Sequence, residues 1–229
     1  MENNNHLKTE TDLRLWQDVI NHDDCDRLIN LCRPAVINTM AGVGGNNYHT
    51  IRKADSIWLD EEWLKPNDAK LVSNIRETIS ELSEKPISML ERLHIIRYNE
   101  GDYFLPHYDF FSQKNEYSDI VHAISDSDDM SEQRTESWML YLNDDFTGGE
   151  TFFQRENIII DARKGGIVSW KNICKDGSLN FDSLHSGEKI NSGEKWIAIT
   201  WIRNKNYNKK KEDTDKFKRV FENIGYFNL

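Results

Sequence analysis

Arg97-Tyr98-Asn99-Glu100-Gly101-Asp102-Tyr103-Phe104-Leu105-Pro106-His107-Tyr108-Asp109-Phe110 is the segment around which the chain is organised. It sets an imidazole and a carboxylate two residues apart in a short aromatic run of β composition. Side chains at i and i+2 of a strand share a face. His107 and Asp109 can therefore offer a nitrogen and an oxygen to one point in space. Such a pair is two of the three ligands of the two-histidine, one-carboxylate facial triad, which holds non-haem Fe(II) and leaves coordination positions open.

Around this stretch the chain changes texture. From about residue 91 it breaks into short β-like runs separated by turn residues, the pattern of a sandwich or barrel. Strands are expected near 91–98, 104–110, 137–143, 150–153, 157–161, 166–171, 181–185 and 195–203. The segment 112–132 interrupts them; it is acidic, with Ser125-Asp126-Ser127-Asp128-Asp129, and too long for a hairpin. Loops of that size are functional lids or disordered insertions.

Upstream, the periodicity is helical. Leu13, Trp16, Val19, Ile20, Cys25, Leu28, Ile29 and Leu31 follow helical spacing, broken into two pieces at His22-Asp23-Asp24. Asp23 or Asp24 is the expected N-cap of a helix through about Cys32, with Pro34 as its stop. Residues 35–60 read as two β-like pieces around the turn cluster Gly42-Val43-Gly44-Gly45-Asn46-Asn47. Pro66 opens an amphipathic helix with Ala69, Leu71, Val72, Ile75, Ile79 and Leu82 on one stripe, ended by Lys85-Pro86. The expected organisation is a frayed segment 1–12, one domain over 13–204 and a basic extension over 205–229. Within the domain, helical support spans 13–90 and a β core spans 91–204. The extension, with Lys209-Lys210-Lys211, reads as a mobile link and a surface helix whose charged face is solvated.

Composition narrows the function classes. The 229 residues carry a formal net charge of −10 and a pI near 5.2, which argues against bulk attraction to nucleic acid or an anionic membrane surface. No apolar run approaches the length of a membrane span, and Met1 to Lys8 lacks the apolar centre of a signal peptide. Cys25, Cys32 and Cys174 are odd in number and widely spaced, so reduced thiols in a cytoplasm are expected rather than a disulfide framework. The sequence is silent on oligomeric state.

The third ligand must come from a distant strand. Of the seven histidines, His22 also begins an H-x-D triplet, but at a helix boundary where its aspartates serve as caps. His185 is the best candidate, ending the run Phe181-Asp182-Ser183-Leu184 before a Ser186-Gly187 turn. Ten residues later Lys195 opens the strongly β segment Lys195-Trp196-Ile197-Ala198-Ile199-Thr200-Trp201. A lysine entering a buried strand needs an anionic partner, and a dicarboxylate co-substrate would supply one. A strand pair over 181–203 is then expected as the second wall of the pocket.

This order (H-x-D, a long gap, His, then Lys) resembles the 2-oxoglutarate- and Fe(II)-dependent dioxygenases of the prolyl 4-hydroxylase type. Supporting pieces run from about residue 15 to 205. They are Asp23-Asp24-Cys25-Asp26-Arg27-Leu28-Ile29, Glu91-Arg92-Leu93-His94-Ile95-Ile96-Arg97-Tyr98, Tyr141-Leu142-Asn143-Asp144 with Gly148-Gly149-Glu150-Thr151-Phe152-Phe153, Lys164-Gly165-Gly166, and Lys195-Trp196 with Trp201. The resemblance implies a double-stranded β-helix (jelly-roll) core, with Fe(II) on His107, Asp109 and His185 as the metal-binding and catalytic set. It also implies 2-oxoglutarate and O2 as co-substrates, with ascorbate as a reductant. Lys195, Tyr98 and Thr151 match positions that bind 2-oxoglutarate; Tyr103, Arg134 and Trp201 match positions near the substrate. Tyr103 stands one residue further from the histidine than the family spacing, and Arg134-Thr135-Glu136-Ser137 has Ser where Thr is common.

The residue types suit that chemistry. Lysine, a compact point charge, fits one terminal carboxylate. Asp109 keeps the carboxylate that related halogenases replace to admit halide, which favours hydroxylation. The expected reaction is hydroxylation of a prolyl residue in a peptide or protein substrate. The same metal site could serve a free amino acid or small molecule. Nucleic-acid demethylation is disfavoured by the net charge and by lysine in place of that group's arginine pattern, and a non-catalytic jelly-roll binding module by the intact ligand set.

Overall fold

The computed structural model describes residues 4–6, 9–39, 52–112, 123–126, 131–207 and 211–228. The expected Gly-Asn turn cluster at 42–47 and most of the expected lid, 113–122 and 127–130, lie outside the described residues. Residues 123–126 of that segment form a strand, paired in parallel with Tyr103–Ser112.

Two β-sheets carry the fold, and their pairings are otherwise antiparallel. The larger has seven strands in the order Asn4–His6, Arg14–Trp16, Ile167–Lys171, Arg134–Tyr141, Lys195–Arg203, Leu93–Tyr98, Asp55–Leu59. The smaller follows the order Ile158–Ile160, Thr151–Phe153, His185–Gly187, Tyr103–Ser112, Arg52–Lys53. Neighbours in space are thus distant in sequence, as the mainly β, jelly-roll expectation requires.

The central strands of the larger sheet are buried on both faces, and alternation sorts their side chains into two cores. Leu93, Ile95, Trp138, Leu140, Trp196, Ala198 and Ile202 join Ile57 and Leu59 in one apolar cluster, packed beneath the helices. Ile96, Tyr98, Met139, Tyr141, Ile197, Ile199 and Trp201 form the other, in the space between the sheets, with Phe153 of the smaller sheet. The functional residues belong to this interior.

Helix α1 spans His22–Thr39 and α2 spans Pro66–Ser83. The second matches its expected start, and Glu84 caps its end in the left-handed region at φ 56°. The first departs from the reading in three ways. Residues 14–16 form a strand, paired on both sides in the larger sheet, rather than a preceding helical piece. The N-terminal cap is Asn21, whose Oδ1 accepts from the Asp24 N–H at 2.8 Å while its Nδ2 donates to Asp24 Oδ2 at 2.7 Å. Pro34 lies inside the helix instead of ending it. A mid-helix proline forfeits one backbone bond, but Ala35 and Val36 continue the buried stripe of Cys25, Leu28, Ile29 and Cys32. That burial carries the helix past Pro34 and replaces the first β-like piece expected after residue 35.

A third helix, α3, covers Lys211–Asn223. Phe217 and Phe221 are buried in the same apolar cluster as α1 and α2, with the Phe221 ring 4.8 Å from that of Trp63. One face of the basic tail is therefore part of the core. Among the described residues, no helix is long and apolar enough to cross a membrane.

The expected strand over 181–185 is also replaced. Phe181–Ser183 is a single 3-10 turn, capped by Asn180, whose side chain accepts from the Asp182 N–H at 3.1 Å. The strand begins only at His185. Nor do 181–203 form a strand pair: His185–Gly187 lies in the smaller sheet and Lys195–Arg203 in the larger.

Candidate active site

His107 and Asp109 project from the long strand Tyr103–Ser112, two positions apart on one face. His185 pairs directly with His107 across the antiparallel ladder, and a bulge follows, because Gly187 pairs with Phe104. The extra residue on the His107 strand falls around Pro106, which has no N–H to give a ladder. Long-range register, rather than any local motif, thus brings the second imidazole to the first pair.

The three side chains are buried, and their ligand atoms lie within 4.8 Å of one another. Asp109 Oδ1 is 3.7 Å from His107 Nε2, and Oδ2 is 3.9 Å from His185 Nε2. Each imidazole anchors its other nitrogen two residues back: His107 Nδ1 to the Leu105 carbonyl at 2.8 Å, His185 Nδ1 to the Ser183 carbonyl at 2.9 Å. A carbonyl only accepts, so both Nδ1 atoms carry the proton and both Nε2 lone pairs turn toward Asp109. This tautomer is the one a metal ligand needs.

Electrostatics agree with that geometry. Burial, reinforced by His185, pushes His107 down to about 3, so the ring is neutral near pH 7. Burial alone would raise Asp109, but the two imidazoles, the Ser137 hydroxyl and Arg134 outweigh it and hold the carboxyl below its usual range. A neutral His107, the His185 imidazole and one carboxylate converge on one point. The donor set fits a divalent metal such as Fe(II). Aromatic rings fix both histidines: Phe104 stacks on His107 at 3.6 Å, and Trp170 meets His185 edge-on at 4.7 Å.

Lys195 stands across the interior, on the opposite sheet. It is 3% exposed, and its Nζ donates to the Gly149 carbonyl at 2.6 Å. No carboxylate among the described residues forms an ion pair with it, and desolvation pushes its ammonium down to about 8, opposed by Glu150. Tyr98, its register partner, is buried beside it, with Nζ 5.8 Å from that ring and 5.5 Å from the ring of Tyr141. Thr151 Oγ1 and Tyr141 Oη share a hydrogen bond of 2.9 Å. Lys195, Tyr98 and Thr151 are therefore gathered as expected, and Tyr141 joins them. Gly149 makes the close approach possible. Its φ is +71°, and a Cβ there would lie 2.2 Å from Ile190 Cδ1 and 3.4 Å from the lysine stem. The Gly148-Gly149 turn supplies the lysine's acceptor.

The three expected substrate-side residues differ in setting. Trp201 faces the interior, and the Arg134 guanidinium lies flat on its ring at 3.7 Å. That guanidinium is held by Glu91 through two hydrogen bonds of 2.7 and 2.9 Å, and Glu91 also accepts from Arg203 at 2.6 Å. Tyr103 is half-buried at the start of its strand opposite Lys53, while its neighbour Phe104 contacts His107.

Four residues beyond the expected set complete the interior. Ser137 touches Asp109. Tyr141 joins the Lys195 group. Arg52 lies over Phe104, 5.5 Å from the ring centre. His94, stacked on Trp58 at 4.2 Å, is buried with both ring nitrogens unpartnered. Tyr141, Ser137 and His94 stand inside the family-like segments of the sequence without a role of their own; Arg52 carries no sequence signal apart from its strand phase.

The comparisons with known proteins agree with this site. Residues 93–203 match the family model described as the 2OG-Fe(II) oxygenase superfamily. Prolyl 4-hydroxylase subunit alpha-1 of Mus musculus is 24% identical over 192 residues, covering 82% of this chain and 33% of that protein. Prolyl 4-hydroxylase 13 of Arabidopsis thaliana is 25% identical over 199 residues, covering 80% and 68%. The chain spans a third or less of the length of the animal alpha-1 subunits that it matches. Among solved structures, the viral collagen prolyl hydroxylase of Paramecium Bursaria Chlorella virus-1, in complex with 2OG, superposes with a TM-score of 0.60 at 25% identity, covering 83% of this chain and 95% of that one. The Trichoplax adhaerens prolyl hydroxylase bound to a hypoxia-inducible-factor peptide shares the fold, with a TM-score of 0.61 at 10% identity and coverage of 94% and 89%. Sheet topology, converging ligands and the family match lead to one conclusion: residues 93–203 of this chain match the 2OG-Fe(II) oxygenase superfamily, and the chain is similar to prolyl 4-hydroxylases in sequence and fold.

Proposed function

We propose that the chain is an Fe(II)- and 2-oxoglutarate-dependent dioxygenase that hydroxylates a prolyl residue in a peptide or protein, with release of succinate and CO2. The observation that carries this reading is the pairing, in one buried interior, of the His107–Asp109–His185 set with a lysine that no carboxylate of the described residues neutralises. His107, Asp109 and His185 would hold the metal. When bound, Fe(II) supplies the O2-activating redox chemistry that is coupled to decarboxylation of the 2-oxo acid.

The remaining steps belong to the protein. Lys195 offers its ammonium to the distal carboxylate of 2-oxoglutarate, which restores the charge partner that burial removed. Tyr98 and Thr151, with Tyr141, supply hydroxyls along that co-substrate. The aromatic walls formed by Phe104, Trp170 and Trp201 keep water from the reacting centre. Arg134, fixed by Glu91 and flattened on Trp201, stiffens the substrate side. A prolyl substrate in peptide context matches the relatives, which are prolyl 4-hydroxylases.

The test is succinate formation with a panel of Pro-rich peptides, free proline and methylated oligonucleotides. Stimulation by the peptides is expected. Stimulation by free amino acids alone would replace the peptide reading with a small-molecule one.

A further inference from the structure

Asp109 does not stand alone at the metal site. Ser137 Oγ lies 2.6 Å from Asp109 Oδ2, and Asn172 Nδ2 lies 2.9 Å from Ser137 Oγ. All three side chains are buried, Ser137 and Asn172 at 0% exposure. They come from three different strand regions: the long strand of the smaller sheet, the central strand Arg134–Tyr141, and the residue just past Ile167–Lys171.

The direction of each bond follows from donor counting. An ionised carboxylate can only accept, so the single Ser137 hydroxyl proton points at Asp109. Ser137 Oγ is then left to accept, and the Asn172 atom facing it must be the NH2 group. The backbone fixes Asn172 from both sides: its N–H donates to the Thr135 carbonyl and its C=O accepts from the Asn180 N–H, both at 2.9 Å. The amide therefore orients the hydroxyl, and the hydroxyl occupies Oδ2. Oδ1, 3.7 Å from His107 Nε2, is the oxygen left free.

We infer that Ser137 and Asn172 form a positioning relay which holds Asp109 to one-oxygen metal ligation through Oδ1, and so preserves an open coordination position for the co-substrates. The inference rests on the proposed metal site. Neither residue touches a reacting atom; both act through Asp109. Groups that orient a metal ligand typically contribute 10- to 100-fold in metal affinity.

The experiment titrates the apo protein with Co(II), read by isothermal calorimetry and by the visible d–d spectrum, beside apo-protein melting curves. Ser137→Ala is expected to bind Co(II) about 10- to 100-fold more weakly, because Asp109 loses its fixed orientation, and with an altered spectrum, because Oδ2 can then reach the metal. Ser137→Thr, which keeps the hydroxyl, is expected to restore affinity and spectrum. Asn172→Ala leaves Ser137 in place and should give a several-fold loss in the same direction, and it decides the matter if Ser137→Ala does not fold. Wild-type affinity and an unchanged spectrum in folded Ser137→Ala, or in folded Asn172→Ala should the serine variant be lost, would overturn the relay. Failure of the wild-type protein to bind Co(II) would instead remove the metal reading itself.

Discussion

His107 and His185 sit directly opposite one another in the antiparallel ladder, with ring centres 4.1 Å apart. Their convergence is a backbone relationship: register brings the rings together, and the Leu105 and Ser183 carbonyls turn both Nε2 atoms the same way. The bulge beside them sets the phase, since a one-residue slip turns a strand's side chains to the opposite face. Deleting Leu105 removes the extra residue and the His107 anchor together. It is expected to abolish Co(II) binding while far-UV circular dichroism stays close to that of the parent. Unchanged binding in the deletion would show that register is not what assembles the site.

Lys195 carries a conflict between stability and function. Burial pushes its folded-state pKa down to about 8, below the ordinary lysine value of 10.5. The unfolded chain therefore binds more protons between those values, and stability rises with pH across that window. Below it, the buried ammonium costs on the order of 3 kcal/mol. Lys195→Met is accordingly expected to raise the melting temperature of the apo protein at pH 7 while raising the 2-oxoglutarate requirement at least tenfold. A variant that melts lower and saturates normally would remove the lysine from the co-substrate pocket.

The same residue sets a pH dependence. 2-Oxoglutarate binding needs the charged ammonium, so affinity should be flat below pH 8 and fall about tenfold per unit above it. Calorimetric titration of 2-oxoglutarate from pH 6.5 to 9.5 reads this directly. An affinity independent of pH across that range would contradict the assignment.

Glu91 pairs with two arginines, the buried Arg134 and the partly buried Arg203, at 2% exposure of its own. Removing one member of a buried ionic group strands the others and costs about 3–5 kcal/mol. Glu91→Ala should lower the denaturant midpoint accordingly and loosen the Arg134–Trp201 stack. Loss of less than about 1 kcal/mol would mean that solvent reaches the arginines.

How far the sequence was legible depends on the range over which each feature is determined. Pro66, the β texture after residue 91 and the i, i+2 pair His107 and Asp109 are local and appear where expected. His185 and Lys195 were found through their spacing and the family resemblance. The two lie on opposing sheets rather than in one strand pair, which no local pattern encodes. Pro34 and Leu13–Trp16 misled because burial and strand pairing overrode local propensity. Ser137 and Asn172 were invisible as a pair: ordinary polar residues gain meaning only when the fold sets them in line with Asp109.

The central assignment is that His107, Asp109 and His185 hold Fe(II) beside a 2-oxo acid anchored by Lys195. Its most direct test is anaerobic addition of Fe(II) and 2-oxoglutarate, read by visible absorption. The weak charge-transfer band of the chelated 2-oxo acid should appear with the parent protein and vanish with His107→Ala. Absence of the band in the parent, or a band of equal intensity in His107→Ala, would contradict it.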